Sequence, residues 1–122
     1  MSLDYHFEAD EELSLEHVEA ALIKAGWNDI DWAGNIVTAL APGFSIHSER
    51  YTDPKSIISE NTKGLSFPVY LHIYIRTRGP HSDEIFEKFL TELAGISKAQ
   101  FLVSFQFESL MFWRDSDGLH KT

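Results

Sequence analysis

Residues 69–78, VYLHIYIRTR, place Val69, Leu71, Ile73 and Ile75 on one parity and Tyr70, His72, Tyr74, Arg76 and Arg78 on the other. A period of two with β-branched and aliphatic residues on one side reads as a strand buried on one face and wet on the other. Gly79 and Pro80 end it, and Ser82 stands ready to cap a helix whose first turn holds Asp83 and Glu84. Ile85, Phe86, Phe89, Leu90 and Leu93 form the apolar stripe of that helix, with Gly95 as its stop. Beyond it Phe101, Val103, Phe105 and Phe107 alternate with Leu102, Ser104, Gln106 and Glu108, a strand with an aromatic inner face. Leu110 and Phe112 fall on the opposite parity, so the register breaks near Glu108 and Ser109 by a bulge or tight bend before Trp113. Asp115, Asp117 and Gly118 then favour a turn.

The first half repeats the pattern. Leu3, Tyr5, Phe7 and Ala9 alternate with Asp4, His6, Glu8 and Asp10, a short strand. Ser14 caps a helix reaching about residue 25, Leu15, Val18, Leu22 and Ala25 make its stripe, and Gly26 supplies the left-handed stop. From Ile30 to Leu40 the chain alternates loosely through Trp32, Ile36 and Thr38, and Ala41-Pro42-Gly43 turns it into Phe44 and Ile46, a hairpin. Residues 52–66, TDPKSIISENTKGLS, read as a loop with room for one helical turn and as the best candidate for mobility.

The order strand, helix, three strands, helix, strand predicts one α+β domain over residues 1–122. Its form is a two-layer sandwich: a mostly antiparallel sheet with two helices on one face, of the ferredoxin-like or a related split β-α-β kind. The helices take the apolar parity. The other sheet face then carries His6, Glu8, His47, Glu49, Tyr70, His72, Tyr74, Arg76, Ser104, Gln106 and Glu108.

Charge is unevenly distributed. Up to residue 31 nine acids, Asp4, Glu8, Asp10, Glu11, Glu12, Glu16, Glu19, Asp29 and Asp31, face the single base Lys24, whereas from residue 32 onward ten acids meet nine Lys or Arg. A concentrated negative field repels nucleic acid and anionic membrane and steers a basic protein surface; the bland alternative is a solvated helix face. The chain has no cysteine, which removes disulfides and thiolate chemistry and suits a reducing cytoplasm. MSLDYHFEADEE lacks the basic and apolar regions of a secretion signal, and no apolar run approaches the ~18 residues of a membrane span.

Few residues are spaced for catalysis. His6, His47 and His72 share the polar face with Glu8 and Glu49, yet no compact ligand spacing such as H-E-x-x-H occurs, so no metal ligand is assigned and no cofactor is expected. His72 between Tyr70 and Tyr74 is the candidate proton carrier, but no nucleophile elbow, phosphate loop or dinucleotide fingerprint accompanies it. Tyr70, Tyr74, Arg76 and Arg78 resemble a base-stacking platform, against which stands a net charge of −9 and the missing glycine-aromatic RNA-binding pattern. Trp27 and Trp32 flank Asp29 and Asp31 directly after the acidic helix, an arrangement suited to anchoring a basic partner. The competing reading puts tryptophan in the core, above all Trp32, which shares parity with Ile30 and Ile36.

Small size, acidity, absence of cysteine, the α+β layout and the closing stretch FLVSFQFESLMFWRDSDGL, residues 101–119, resemble the immunity proteins that bacteria make against their own interbacterial toxins. The resemblance implies a cytoplasmic protein without catalytic activity that binds a cognate toxin domain, often a nuclease, and blocks it. A basic toxin domain would meet Glu11, Glu12, Glu16, Glu19, Trp27, Asp29, Asp31 and Trp32, with Tyr70, His72 and Tyr74 as the second candidate surface. The alternative is a small ligand-binding or enzymatic domain using the polar sheet face around His72; a third is a module that oligomerises through sheet edges.

Overall fold

The computed structural model describes residues 4–77 and 83–122, so the expectations for Leu3, Arg78, Gly79, Pro80 and the Ser82 cap lie outside the described residues. The chain runs β1 (Asp4–Ala9), α1 (Leu15–Ala25), β2 (Asn28–Ala33), β3 (Ile36–Ala41), β4 (Phe44–Lys55), β5 (Val69–Thr77), α2 (Glu84–Ile96), β6 (Phe101–Phe105), β7 (Ser109–Asp115) and β8 (Gly118–Lys121). The eight strands of the described residues form one sheet in the order β2-β3-β4-β5-β1-β6-β7-β8, every pairing antiparallel. The expected two-layer α+β sandwich is present, and it is wider than the sequence pattern indicated. After α1 the chain enters at the far edge, β2, and meanders back to β5; α2 then crosses to β6 and a second meander runs outward to β8. The inner strands β4-β5-β1-β6 therefore contain two interleaved split β-α-β units.

The helix-side core gathers Phe7 and Ala9 of β1, Phe44 and Ile46 of β4, and Ile73 and Ile75 of β5, covered by Val18 and Leu22 of α1 and Phe89 and Leu93 of α2. Phe7, Phe44, Phe89 and Phe101 are fully buried, each contributing roughly 2–3 kcal/mol of transfer free energy. Ser14 caps α1 as predicted, its Oγ accepting from the His17 N–H at 3.2 Å. His17 Nδ1 accepts from the Ser14 N–H at 3.1 Å, taking the part usually played by Glu or Gln in a capping box. α2 passes through Gly95 to Ile96, and its stop is the extended Ser97, whose N–H still donates to the Leu93 carbonyl.

Three strand expectations are corrected. The single hairpin of residues 30–46 is two hairpins, because Gly34 at φ 63° closes a two-residue turn with Asn35. Across such a turn Ala33 pairs with Ile36 and Trp32 with Val37, so the parity inverts: Val37, Ala39 and Ala41 enter the core, while Ile36 and Thr38 face the other side. The register break expected near Glu108 falls at Gln106 and Phe107, both left-handed at φ 53° and 63°, with a one-residue bulge at Met111. Phe107 thereby leaves the inner face. β4 continues to Lys55 with a register shift after Arg50, and β8 follows the Asp115–Gly118 turn as an additional strand.

Residues 56–68 carry no helical turn; they cross the outer face of the sheet as a strap. Phe67 of the strap and Val69 pack on Leu102 and Leu110, with Ile57, Leu65 and Trp113 around them, forming a second, smaller core. The strap is held by Glu8, 1% exposed, whose carboxylate accepts from the Ile58 N–H at 2.7 Å, the Ser59 N–H at 3.2 Å and the Ser59 hydroxyl. The same hydroxyl lies 2.9 Å from Ser104 Oγ. Three donors and a neighbouring hydroxyl replace the water that a buried carboxylate loses.

A left-handed non-glycine residue costs about 1 kcal/mol, and exposed Gln106 sits in that region. Gln106→Gly is expected to raise the urea midpoint, stabilising the protein by about 0.5–1 kcal/mol. A lower midpoint would show that the Gln106 side chain contributes more than its backbone costs.

Candidate functional site

Away from the strap the outer sheet face remains open, and the register lines its side chains into cross-strand rows. His6 pairs with Tyr74, Tyr74 with His47, His47 with Thr38 and Thr38 with Asp31, so one row runs from β1 to the β2 edge. The row beside it runs Glu8, His72, Glu49, Ile36. On the other flank Arg76 pairs with both Asp4 and Ser45. Between β2 and β5 these rows bound a groove of about 700 Å³. Asp29 and Asp31 form one wall, His72, Tyr74 and Arg76 the other, and Thr38, Leu40, Ser45 and His47 lie between. A bulge in β2 between Asn28 and Asp31, with Asp29 at φ 52°, shapes the acidic wall.

Hydrogen bonds and ring contacts hold the β5 wall. His6 Nδ1 lies 3.0 Å from His72 Nε2, the two rings stack at 5.2 Å, and the Phe107 ring covers His6 at 3.7 Å. Tyr74 leans on His6 at 5.2 Å and accepts from Arg76 Nη2 at 3.1 Å, with the guanidinium over its ring. On its other side Arg76 Nε is 3.9 Å from Asp4 Oδ1. Burial, reinforced by His6 and His47, pushes His72 down to about 4. Burial also lowers His6, against the raising pull of Asp4 and Glu8. A ring N···N contact needs one N–H and one bare nitrogen, so at most one imidazole of the pair can be charged in this geometry. With both values lowered, the His6–His72 pair is a neutral hydrogen-bonding surface at pH 7.

The residues expected to bind a partner are distributed over several surfaces. Glu11 and Glu12 are exposed in the turn after β1, Glu16 is exposed on α1, and Asp29 and Asp31 are on the opposite side of the sheet in the groove. The acidic segment 10–32 is thus one cluster in sequence and not one surface in space. Trp27 is corrected outright as an anchor: it is 4% exposed, packed 5.8 Å from Phe89 and 6.0 Å from Phe44, and its indole donates to the Ile85 carbonyl at 3.4 Å. Trp32 is the reverse. The inverted parity puts it on the helix side at the sheet edge, 42% exposed, its indole donating to Glu19 Oε2 at 2.7 Å. Exposed Ile23 lies one turn beyond Glu19 on α1. Tyr70 is half-buried beneath Arg50, whose guanidinium is 5.1 Å from its ring and donates to its carbonyl, so it stands apart from the groove that takes in His72 and Tyr74.

Phe107 was not recognisable as part of this site, because its alternation with Phe105 pointed to the core; consecutive left-handed residues without glycine leave no sequence signal. Among the described residues no group of three or more His, Asp and Glu is placed to hold a metal ion. No helix of the described residues is long and apolar enough to cross a membrane.

His72 gives the fold a pH dependence whose sign follows from its depressed value. Between about 4 and the unfolded value near 6.5 the unfolded chain binds the extra proton, so the contribution is complete above pH 6.5 and is lost as pH falls toward 4. Urea unfolding is expected to show a loss of about 2–3 kcal/mol from this residue between pH 7 and pH 4, with His72→Gln flattening most of that slope. An unchanged slope in the variant would place the sensitivity elsewhere. In comparison with known proteins, no family model matches the chain and no curated protein matches it.

Proposed function

We propose that this protein is a cytoplasmic, non-catalytic immunity protein that neutralises a basic toxin domain, docking it along the β2 edge. The observation that carries this reading is Trp32: a tryptophan 42% exposed on an edge strand, its indole bonded to Glu19, with exposed Ile23 one turn along α1 from Glu19. An oriented aromatic with an apolar neighbour is the usual centre of an interface, and carboxylates around it desolvate well only against Arg or Lys. Glu16 and Glu19 lie on one side of the edge and Asp29 and Asp31 on the other, which favours a basic partner and opposes pairing of β2 with its own copy. A nuclease domain has the required basic surface, and an acidic edge seated there takes the place of the phosphate backbone.

The test is capture by the tagged protein from lysate of the source bacterium at low and at about 0.5 M salt, followed by affinity measurement on the recovered domain. Trp32→Ala is expected to weaken binding by at least roughly 30-fold, and combined reversal of Glu16, Glu19, Asp29 and Asp31 to Lys to weaken it and reduce its salt dependence. Unchanged affinity in both variants would sink the edge-docking reading.

A second reading rests on the groove, whose volume of about 700 Å³ falls within the range of small-molecule sites. Under it the protein is a ligand-binding or enzymatic domain centred on His72 and Tyr74. A ligand found by thermal shift is expected to raise the melting temperature of the wild type and not of His72→Ala. Stabilisation that persists in the variant would place the ligand elsewhere.

A further inference from the structure

The groove is electrically bipolar. Asp29 and Asp31 line the β2 side, Arg76 lines the β5 side with Tyr74 and His72 further along the same strand, and the interval between the two sides holds Thr38, Leu40, Ser45 and His47. His72 and His6 are tied to each other as a neutral pair at one end of the β5 wall, so that part of the groove offers hydrogen bonds and ring faces without added charge. β2 and β5 are separated by β3 and β4, so the two charged ends stand three inter-strand steps apart, roughly 14 Å.

That arrangement discriminates between ligand classes. A polyamine would satisfy the carboxylates and bring positive charge to Arg76. A nucleotide or other polyanion would satisfy Arg76 and be repelled by Asp29 and Asp31. A molecule with an ammonium at one end, a carboxylate at the other and a neutral polar body satisfies both walls, and a tetrapeptide with free termini spans roughly 13–14 Å when extended. Arg76 is exposed, and its five N–H groups exceed what one bond to Tyr74 and a 3.9 Å approach to Asp4 require.

We infer that the outer-face groove is a binding site for short zwitterionic peptides, the amino terminus held by Asp29 and Asp31, the carboxylate by Arg76, and the peptide bonds lying over Thr38, Leu40, Ser45 and His47, with Tyr74 beside them. The inference rests on the ligand-site reading of the groove and names its ligand class. It is independent of Trp32 and the helix-side surface.

The test is titration of the intact protein, followed by backbone amide NMR, with tetra-alanine carrying free termini, its N-acetyl form and its C-terminal amide at low ionic strength. Free tetra-alanine is expected to bind in the millimolar range or tighter and to shift amides of β2 through β5, and each blocking group to weaken binding by roughly tenfold. In Asp29→Asn/Asp31→Asn acetylation is expected to make no further difference, and in Arg76→Gln amidation none. Asn tolerates the left-handed backbone of residue 29 and Arg76 is exposed, so both variants keep the fold. Equal binding of all three peptides in the groove, or groove shifts from neutral fragments alone, would overturn the zwitterion class while keeping a ligand site. Absence of groove shifts with the peptides and with a fragment library would overturn both.

Discussion

Everything in this sheet depends on β1 pairing on both sides. The meander β2 to β5 and the meander β6 to β8 share no edge with each other; within the sheet they are joined through Asp4–Ala9, which pairs with β5 along one side and with β6 along the other. Six residues therefore carry the central ladder, and both of their faces are buried toward one end. Phe7 and Ala9 enter the helix-side core, and Glu8, between them, points the other way. A carboxylate at the middle of a sheet is tolerable only when its lone pairs are taken, and the strap does this with two backbone N–H groups and the Ser59 hydroxyl. Satisfying one buried carboxyl group, together with the packing of Phe67 on Leu102 and Leu110, thus holds residues 56–68 in place.

The strap in turn divides the outer sheet face. Toward β6 and β7 it covers Leu102 and Leu110 and makes a second core. Toward β2 it leaves the cross-strand row His6, Tyr74, His47, Thr38, Asp31 open, and this row spans the groove. Burial close to the strap keeps His6 and His72 neutral, while Asp29, Asp31 and Arg76 stand exposed at the ends of the groove. The bipolar character of the site follows from placing Asp29 and Asp31 on one wall and Arg76 on the other.

The β2 edge combines features of both faces. Its outward residues belong to the groove and its helix-side residue, Trp32, to the α1 surface, so a partner gripping the edge and a ligand lying in the groove would meet the same strand from opposite sides. Acidic residues on both sides oppose pairing of this edge with its own kind by like-charge repulsion, a frequent solution for a strand with one unpaired ladder. The chain that carries eight of the nine net negative charges in its first 31 residues spreads them over the two layers, and the consequence is a charged rim around an edge and not a single acidic face.

Local patterns were sufficient for much of this protein. Alternation in residues 69–77 and 4–9, the Ser14 cap, the Gly26 stop and the stripe of Phe86, Phe89, Leu90 and Leu93 determined two helices on one face of an antiparallel sheet, because these signals depend on neighbours in sequence. The polar parity also announced His6, His47, His72 and Tyr74 as one face. The sequence did not determine which tryptophan is buried: a two-residue turn at Gly34-Asn35 inverts the parity after Trp32, and the geometry of one turn outweighs a loose alternation. Nor did it determine that Phe107 covers His6, that Glu8 is buried, or that the acidic segment is split between two layers. Those outcomes were decided by the tertiary structure, since each depends on a contact between residues more than forty positions apart or on the face to which a strand is turned.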